Sequence, residues 1–119
     1  GGDLTDAALT RWFSPEFAEV HPEAVAAVRW RLQANDRDGF LRAYRVFAEA
    51  HDAEENLAAI ACPSLIITGE LDSGSTPAMA RAMAAELPNA KALILPGIRH
   101  MVPIEGSGVL NQALLAFLT

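Results

Sequence analysis

The sequence predicts an α/β chain: a βαβα unit on two parallel strands, preceded by a segment of short helices. Two observations carry this expectation. Ser64–Thr68 and Ala92–Leu95 are apolar on successive residues, as strands covered on both faces of a parallel sheet are. The stretch between them opens on Thr76-Pro77 and closes on Leu87-Pro88-Asn89, the start and stop signals of a helix. The division falls near residue 59, with residues 1–58 helical and residues 59–119 the α/β part.

Taken in order, Ser14-Pro15-Glu16 is a helix start, with serine as cap and proline in the first turn. Pro22 opens a second helix, on which Val25, Val28 and Leu32 recur at helical spacing. Asn35-Asp36-Arg37-Asp38-Gly39 breaks it and supplies caps for a third, with Phe40, Tyr44 and Phe47 along one side as an aromatic inner face. A turn of helix is expected over Ala53–Ala58. These helices cannot bury much core alone and read as a layer over something else. Beyond residue 60, Met79, Met83 and Leu87 form the expected inner stripe of the crossover helix, and the crossover should be right-handed. Ser107 is the expected cap of a last helix carrying Leu110, Leu114, Phe117 and Leu118. Two parallel strands are too few for a stable sheet, and each leaves an edge in need of a partner.

Composition limits the classes of function. Of 119 residues, 51% are apolar and 20% charged, enough to fill a core and not the balance of a disordered chain. The net charge of −6, without a cluster of Lys and Arg, argues against a nucleic-acid partner. No apolar run approaches a membrane span. Cys62 stands alone, so no internal disulfide is possible, and it reads as an inert buried thiol rather than a nucleophile. The opening Gly1-Gly2-Asp3-Leu4 has neither the basic flank nor the apolar stretch of a signal peptide, and no initiator methionine. A cytoplasmic protein, cut from a longer chain, is the expectation. His21, His51 and His100 show no close-spaced ligand motif, so no metal and no other cofactor is expected.

The stretch T-G-E-L-D-S-G-S-T-P, residues 68–77, carries the chemistry. Gly69 and Gly74 have the spacing of a phosphate loop, but the lysine position holds Ser75, and Glu70 and Asp72 would face the phosphate. Like charges about 4 Å apart cost on the order of 1 kcal/mol even when solvent-screened. The nucleotide reading therefore fails. In open α/β sheets, the rim at the C-terminal ends of the strands gathers ligand-binding and catalytic groups. Asp72 stands a few residues past the first strand, and His100 occupies the corresponding place past the second. Neighbouring strands lie about 4.8 Å apart, so the two side chains can meet. A carboxylate accepting from one imidazole nitrogen sets the tautomer and leaves the other nitrogen as a base. Singly, Asp72-Ser73-Gly74 reads as a turn and His100 as a structural histidine under Met101-Val102-Pro103. As an ordered pair at matching rim positions, they read as functional. Glu70 reads as a solvated neighbour.

The residues from Ile60 onward resemble the end of an α/β-hydrolase-fold enzyme. Pro63 to Asp72 is similar to the family's P-T-L-V-I-x-G-x-x-D pattern, and His100 with Glu105 to its histidine followed five residues on by a glutamate. The sequence departs at Gly106-Ser107, where a proline is usual. The first half, R-W-F-S-P-E-F-A-E-V-H-P-E with N-D-R-D-G-F at 35–40, resembles the helical cap of 3-oxoadipate enol-lactonases and their relatives. The resemblance implies a triad in chain order nucleophile, acid, histidine. Asp72 would be the acid, His100 the base, and the substrate a small carboxylic ester or lactone. It implies that residues 1–58 are a cap or lid and 59–119 the C-terminal part of the core. Trp12 and Met101 would then contact substrate, although Trp12 can equally pack cap against core; Trp30 reads as packing.

The nucleophile elbow G-x-S-x-G is missing. Ser14, Ser64, Ser73 and Ser75 lack its setting, and Glu105-Gly106-Ser107-Gly108 follows no strand. With no oxyanion-hole loop either, the chain alone should be inactive. Its partner would be a missing N-terminal half or a second copy of itself. Related chemistries on the same triad (cofactor-free haloperoxidase, C–C hydrolase, acyltransferase) stay open. So does a non-catalytic half-protein that assembles through its open sheet edge.

Overall fold

The computed structural model describes the backbone of residues 2–50 and 56–119. Among these residues, seven α-helices and two strands are arranged as α1 (Gly2–Trp12), α2 (Pro15–Val20), α3 (Pro22–Ala34), α4 (Arg37–Glu49), β1 (Ser64–Gly69), α5 (Pro77–Glu86), β2 (Ala90–Leu95), α6 (Val102–Glu105) and α7 (Ser107–Leu118). A 3-10 turn at Leu57–Ala59 precedes β1. The turn expected over 53–58 falls partly outside the described residues.

The helical starts follow local chemistry. Ser14 caps α2, its hydroxyl accepting from Phe17 N–H at 3.2 Å, and Pro15 and Pro22 sit in first turns, where an N–H would have no helical partner. Asp36 caps α4 through the Gly39 N–H at 2.8 Å. Helix α1 falls in the stretch read as helical, although no separate element was expected there. Its spacing is helical nonetheless: Leu9 and Phe13 are buried, and Trp12 is half-buried on the same side. Helices α1 and α2 pack on α3, whose Val25, Val28 and Leu32 are half-buried as the spacing predicted.

Helix α4 departs from expectation. Phe40, Tyr44 and Phe47 stack along one side, with ring centroids 6.3 and 6.2 Å apart, but this is not an inner face. Phe47 is 75% exposed, and among the described residues no other element packs extensively on α4. Trp30 is likewise 70% exposed rather than packed.

The strands pair in parallel, Ser64 opposite Ala90 through Gly69 opposite Leu95. Helix α5 crosses between them and packs on both. Thr76 caps it, accepting from Met79 N–H at 3.2 Å. Its inner stripe differs from the expected one: Met79 and Met83 are exposed, while Ala80 and Leu87 are buried and Ala84 half-buried. Small alanines at this spacing let the helix lie close to the strands, where methionines would hold it off. Gly106, not Ser107, is the N-cap of α7, so Ser107 is its first helical residue. The core is Leu95, Ile98 and Val102, with Ile67, Leu93 and Leu110 against it. It runs from the last residue of β2 through the loop that follows it to the first residue of α6. Strand residues such as Lys91 and Ala92 stay exposed, and among the described residues the sheet has only two strands.

Candidate functional site

The loops after β1 and β2 are built into each other. Gly69 ends β1 where the chain after β2 crosses it. A Cβ there would lie 2.2 Å from Ile98 O and 2.3 Å from Arg99 O, so only glycine fits. Glu70 N–H donates to Leu95 O and Leu71 N–H to Ile98 O, each at 2.9 Å. Gly97 turns the second loop at φ 71°, the left-handed region glycine enters without strain.

This crossing brings Asp72 and His100 together. Asp72 Oδ2 lies 2.7 Å from His100 Nδ1, and Oδ1 accepts from Gly74 N–H and Ser75 N–H, both at 2.9 Å. The aspartate is 6% exposed. Burial pushes its carboxyl up, but the His100 hydrogen bond and the Ser75 and Gly74 N–H bonds, with the attraction of a charged imidazole, outweigh it. The net direction is down from the ordinary 3.8. An ionised carboxylate only accepts, so the proton sits on Nδ1 and the lone pair of a neutral ring on Nε2. Nε2 has no partner among the described residues, and the His100 side chain is 44% exposed. The pair can therefore take a proton from a group delivered to Nε2 and hold the resulting imidazolium.

A cavity of about 330 Å³ opens beside the pair, with Thr68, Asp72, Ser75 and His100 on its polar side and Val102 and Leu110 on its apolar side. Thr68 shapes it by donating to Ser75 O at 2.6 Å. Trp12 and Met101 are adjacent to His100 but do not line this cavity. The Trp12 ring lies against the imidazole, centroids 6.0 Å apart, and Met101 N–H donates to Trp12 O at 3.0 Å.

Two carboxylates have structural work that sequence reading missed. Glu70 is not merely solvated: its Oε1 accepts from Gly97 N–H at 3.0 Å, bracing one rim loop on the other. Glu105 accepts from Arg99 N–H at 2.6 Å through Oε1 and from Ser14 N–H and Oγ–H at 2.7 and 2.6 Å through Oε2. For Glu105 the five-residue spacing from His100 was a signal; for Glu70 there was none. Among the described residues, no three His, Cys, Asp or Glu side chains gather where a metal ion could be held. Nor is any helix among the described residues long and apolar enough to cross a membrane.

A parallel pair of strands with an acid in the loop after one and a histidine in the loop after the next is the arrangement of an α/β-hydrolase core. The chain belongs to that fold family: residues 43–119 match the α/β-hydrolase family described as TAP-like protein. It is 32% identical over 111 residues to (E)-2-((N-methylformamido)methylene)succinate hydrolase of Acinetobacter baylyi, covering 92% of this chain and 41% of that one. It is 28% identical over 113 residues to 3-oxoadipate enol-lactonase 2 of the same organism, covering 95% of this chain and 42% of the relative. Among solved structures, the enol-lactonase of Burkholderia xenovorans superposes with a TM-score of 0.85 at 30% identity, over 98% of this chain and 44% of that one. The chain thus spans less than half the length of the relatives it matches.

Proposed function

We propose that this chain is the acid- and histidine-bearing C-terminal part of a serine hydrolase that cleaves a small carboxylic ester or lactone, as enol-lactonases do. The observation that carries the reading is the 2.7 Å hydrogen bond between Asp72 and His100, with Nε2 left open beside a cavity. In this reading His100 Nε2 takes the proton of a serine as it attacks the carbonyl. It returns that proton to the leaving oxygen, then activates water to release the acid. Asp72 holds the ring in the required tautomer and steadies the imidazolium.

The serine and the oxyanion donors lie outside this sequence, which has no G-x-S-x-G after a strand. The chain alone is inactive in this reading. It acts joined to, or assembled with, a nucleophile-bearing portion that pairs with an edge of the β1–β2 sheet; a second copy could cover that edge but brings no serine elbow. Residues 1–58 act as a cap over the site, and Trp12 and Met101, next to His100, as its substrate contacts.

The test is hydrolysis of a panel: a nitrophenyl ester, an enol lactone, and a formamide-bearing succinate, added because one relative's name carries that group. The panel is offered to the chain alone and to the chain joined to the polypeptide encoded upstream of it. The expected result is no turnover by the first and lactone or ester turnover by the second. Turnover by the chain alone, or an upstream polypeptide without a nucleophile elbow, overturns the proposal.

A further inference from the structure

The Asp72 hydrogen bond orients the His100 ring but does not place the loop that carries it. That loop is gripped from the other side by the elbow between α1 and α2. The Arg99 guanidinium donates to Thr10 O and Phe13 O, and Met101 N–H donates to Trp12 O. Glu105 joins elbow and loop through a single carboxylate. Oε1 takes the N–H of Arg99, the residue before the histidine, at 2.6 Å, and Oε2 takes both donors of Ser14. Ser14 also accepts from Phe17 N–H and so starts α2. Elbow, cap helix and histidine loop therefore share one half-buried acceptor.

We infer that Glu105 is a positioning residue for His100, transmitting the position of the Ser14 elbow to the backbone beside the imidazole. The inference rests on the reading of His100 as the base and deepens it: where the cap sits decides whether the base is aligned. Three donors converge on Glu105, and only a carboxylate offers two acceptor-only oxygens to meet them. A glutamine would turn its NH₂ group toward Arg99 N–H or toward Ser14, so one side of the link must break. Charge-assisted bonds of this length are the strong kind.

The experiment is nitrogen-15 NMR of the 119-residue chain in four forms: wild type, Glu105→Gln, Ser14→Ala and Asp72→Asn. The readouts are the hydrogen-bonded His100 Nδ1–H resonance and the exchange rates of the Arg99 and Met101 amides, compared with Ile67 and Leu93 in the strands. In Glu105→Gln the two loop amides should exchange at least about tenfold faster while the strand amides change less, and the Nδ1–H resonance should broaden or vanish. Ser14→Ala, which removes one of the three bonds, should move the resonance in the same direction by less. A folded Glu105→Gln with an unchanged Nδ1–H resonance, or with all amides accelerated equally, overturns the inference. If that variant does not fold, an unchanged resonance in Ser14→Ala overturns it instead. Loss of the resonance in Asp72→Asn but not in Glu105→Gln removes only this inference. Its absence from a wild type whose Ile67 and Leu93 amides are protected, or persistence in Asp72→Asn, removes the acid–base pair and the inference together.

Discussion

Asp72 holds His100 with one carboxylate oxygen and its own loop with the other: Oδ2 meets Nδ1 at 2.7 Å, while Oδ1 gathers the N–H groups of Gly74 and Ser75. The two jobs separate on substitution. Asn at this position can keep the Oδ1 bonds, but its NH₂ then faces Nδ1 and drives the ring proton to Nε2. The chain should stay folded, with the histidine in the wrong tautomer. In the assembled hydrolase, kcat should fall by about 10³- to 10⁴-fold with little change in KM. Unchanged ester or lactone turnover would show that Asp72 is not the acid.

The same carboxylate sets an acid limit on stability. In the unfolded chain Asp72 takes up its proton near 3.8, whereas in the fold it does so only at lower pH. Between those values the unfolded state binds more protons, so acidification favours unfolding. The Asp72 contribution is complete above about pH 3.8 and is lost as pH falls through the folded value. Urea midpoints should show the gap between wild type and Asp72→Asn at its widest above about pH 3.8 and shrinking as pH falls below it. A gap that stays constant with pH contradicts the assignment.

Gly69 and Gly97 should fail for different reasons. Alanine at 69 places a methyl against two backbone oxygens that cannot move without shifting the histidine loop. The cost should be about 1–3 kcal/mol, accompanied by loss of the Asp72–His100 contact. At 97 there is open space but a φ of 71°, so alanine should cost about 1–2 kcal/mol and leave the pair intact. Gly97→Asn should recover part of that loss. Thermal unfolding, with the His100 Nδ1–H resonance as a second probe, separates the two cases.

Thr68 closes the acid loop from below, donating to Ser75 O at 2.6 Å while Ser75 N–H holds Asp72. Thr68→Val keeps the shape but removes the donor. Stability should drop by about 1 kcal/mol and amide exchange at Ser75 should speed up by several-fold. Equal exchange in both forms would mean that the loop holds without it.

The parts of this fold legible in the sequence were those written in neighbouring residues. Pro15, Pro22 and Pro77 mark helix starts because proline costs nothing where an N–H has no partner. The apolar runs of β1 and β2 mark strands, each a residue or two longer than predicted. Predicted inner faces were less secure. Helical spacing identifies the stripe of Phe40, Tyr44 and Phe47 but not whether anything covers it. It also favoured large Met79 and Met83 over the small Ala80 and Ala84 that face the strands.

The sequence by itself determined an α/β unit with an acid in one rim loop and a histidine in the next, since strand ends, loop residues and chain order are local properties. Only the tertiary structure decided how those loops are held: Gly69 under the Ile98 and Arg99 carbonyls, Glu70 on Gly97, and Glu105 spanning Arg99 and Ser14. The reason is physical. A carboxylate's charge is visible in the sequence, but its hydrogen-bond partners are chosen by which distant N–H groups the packed backbone leaves within about 3 Å, and no periodicity records that choice.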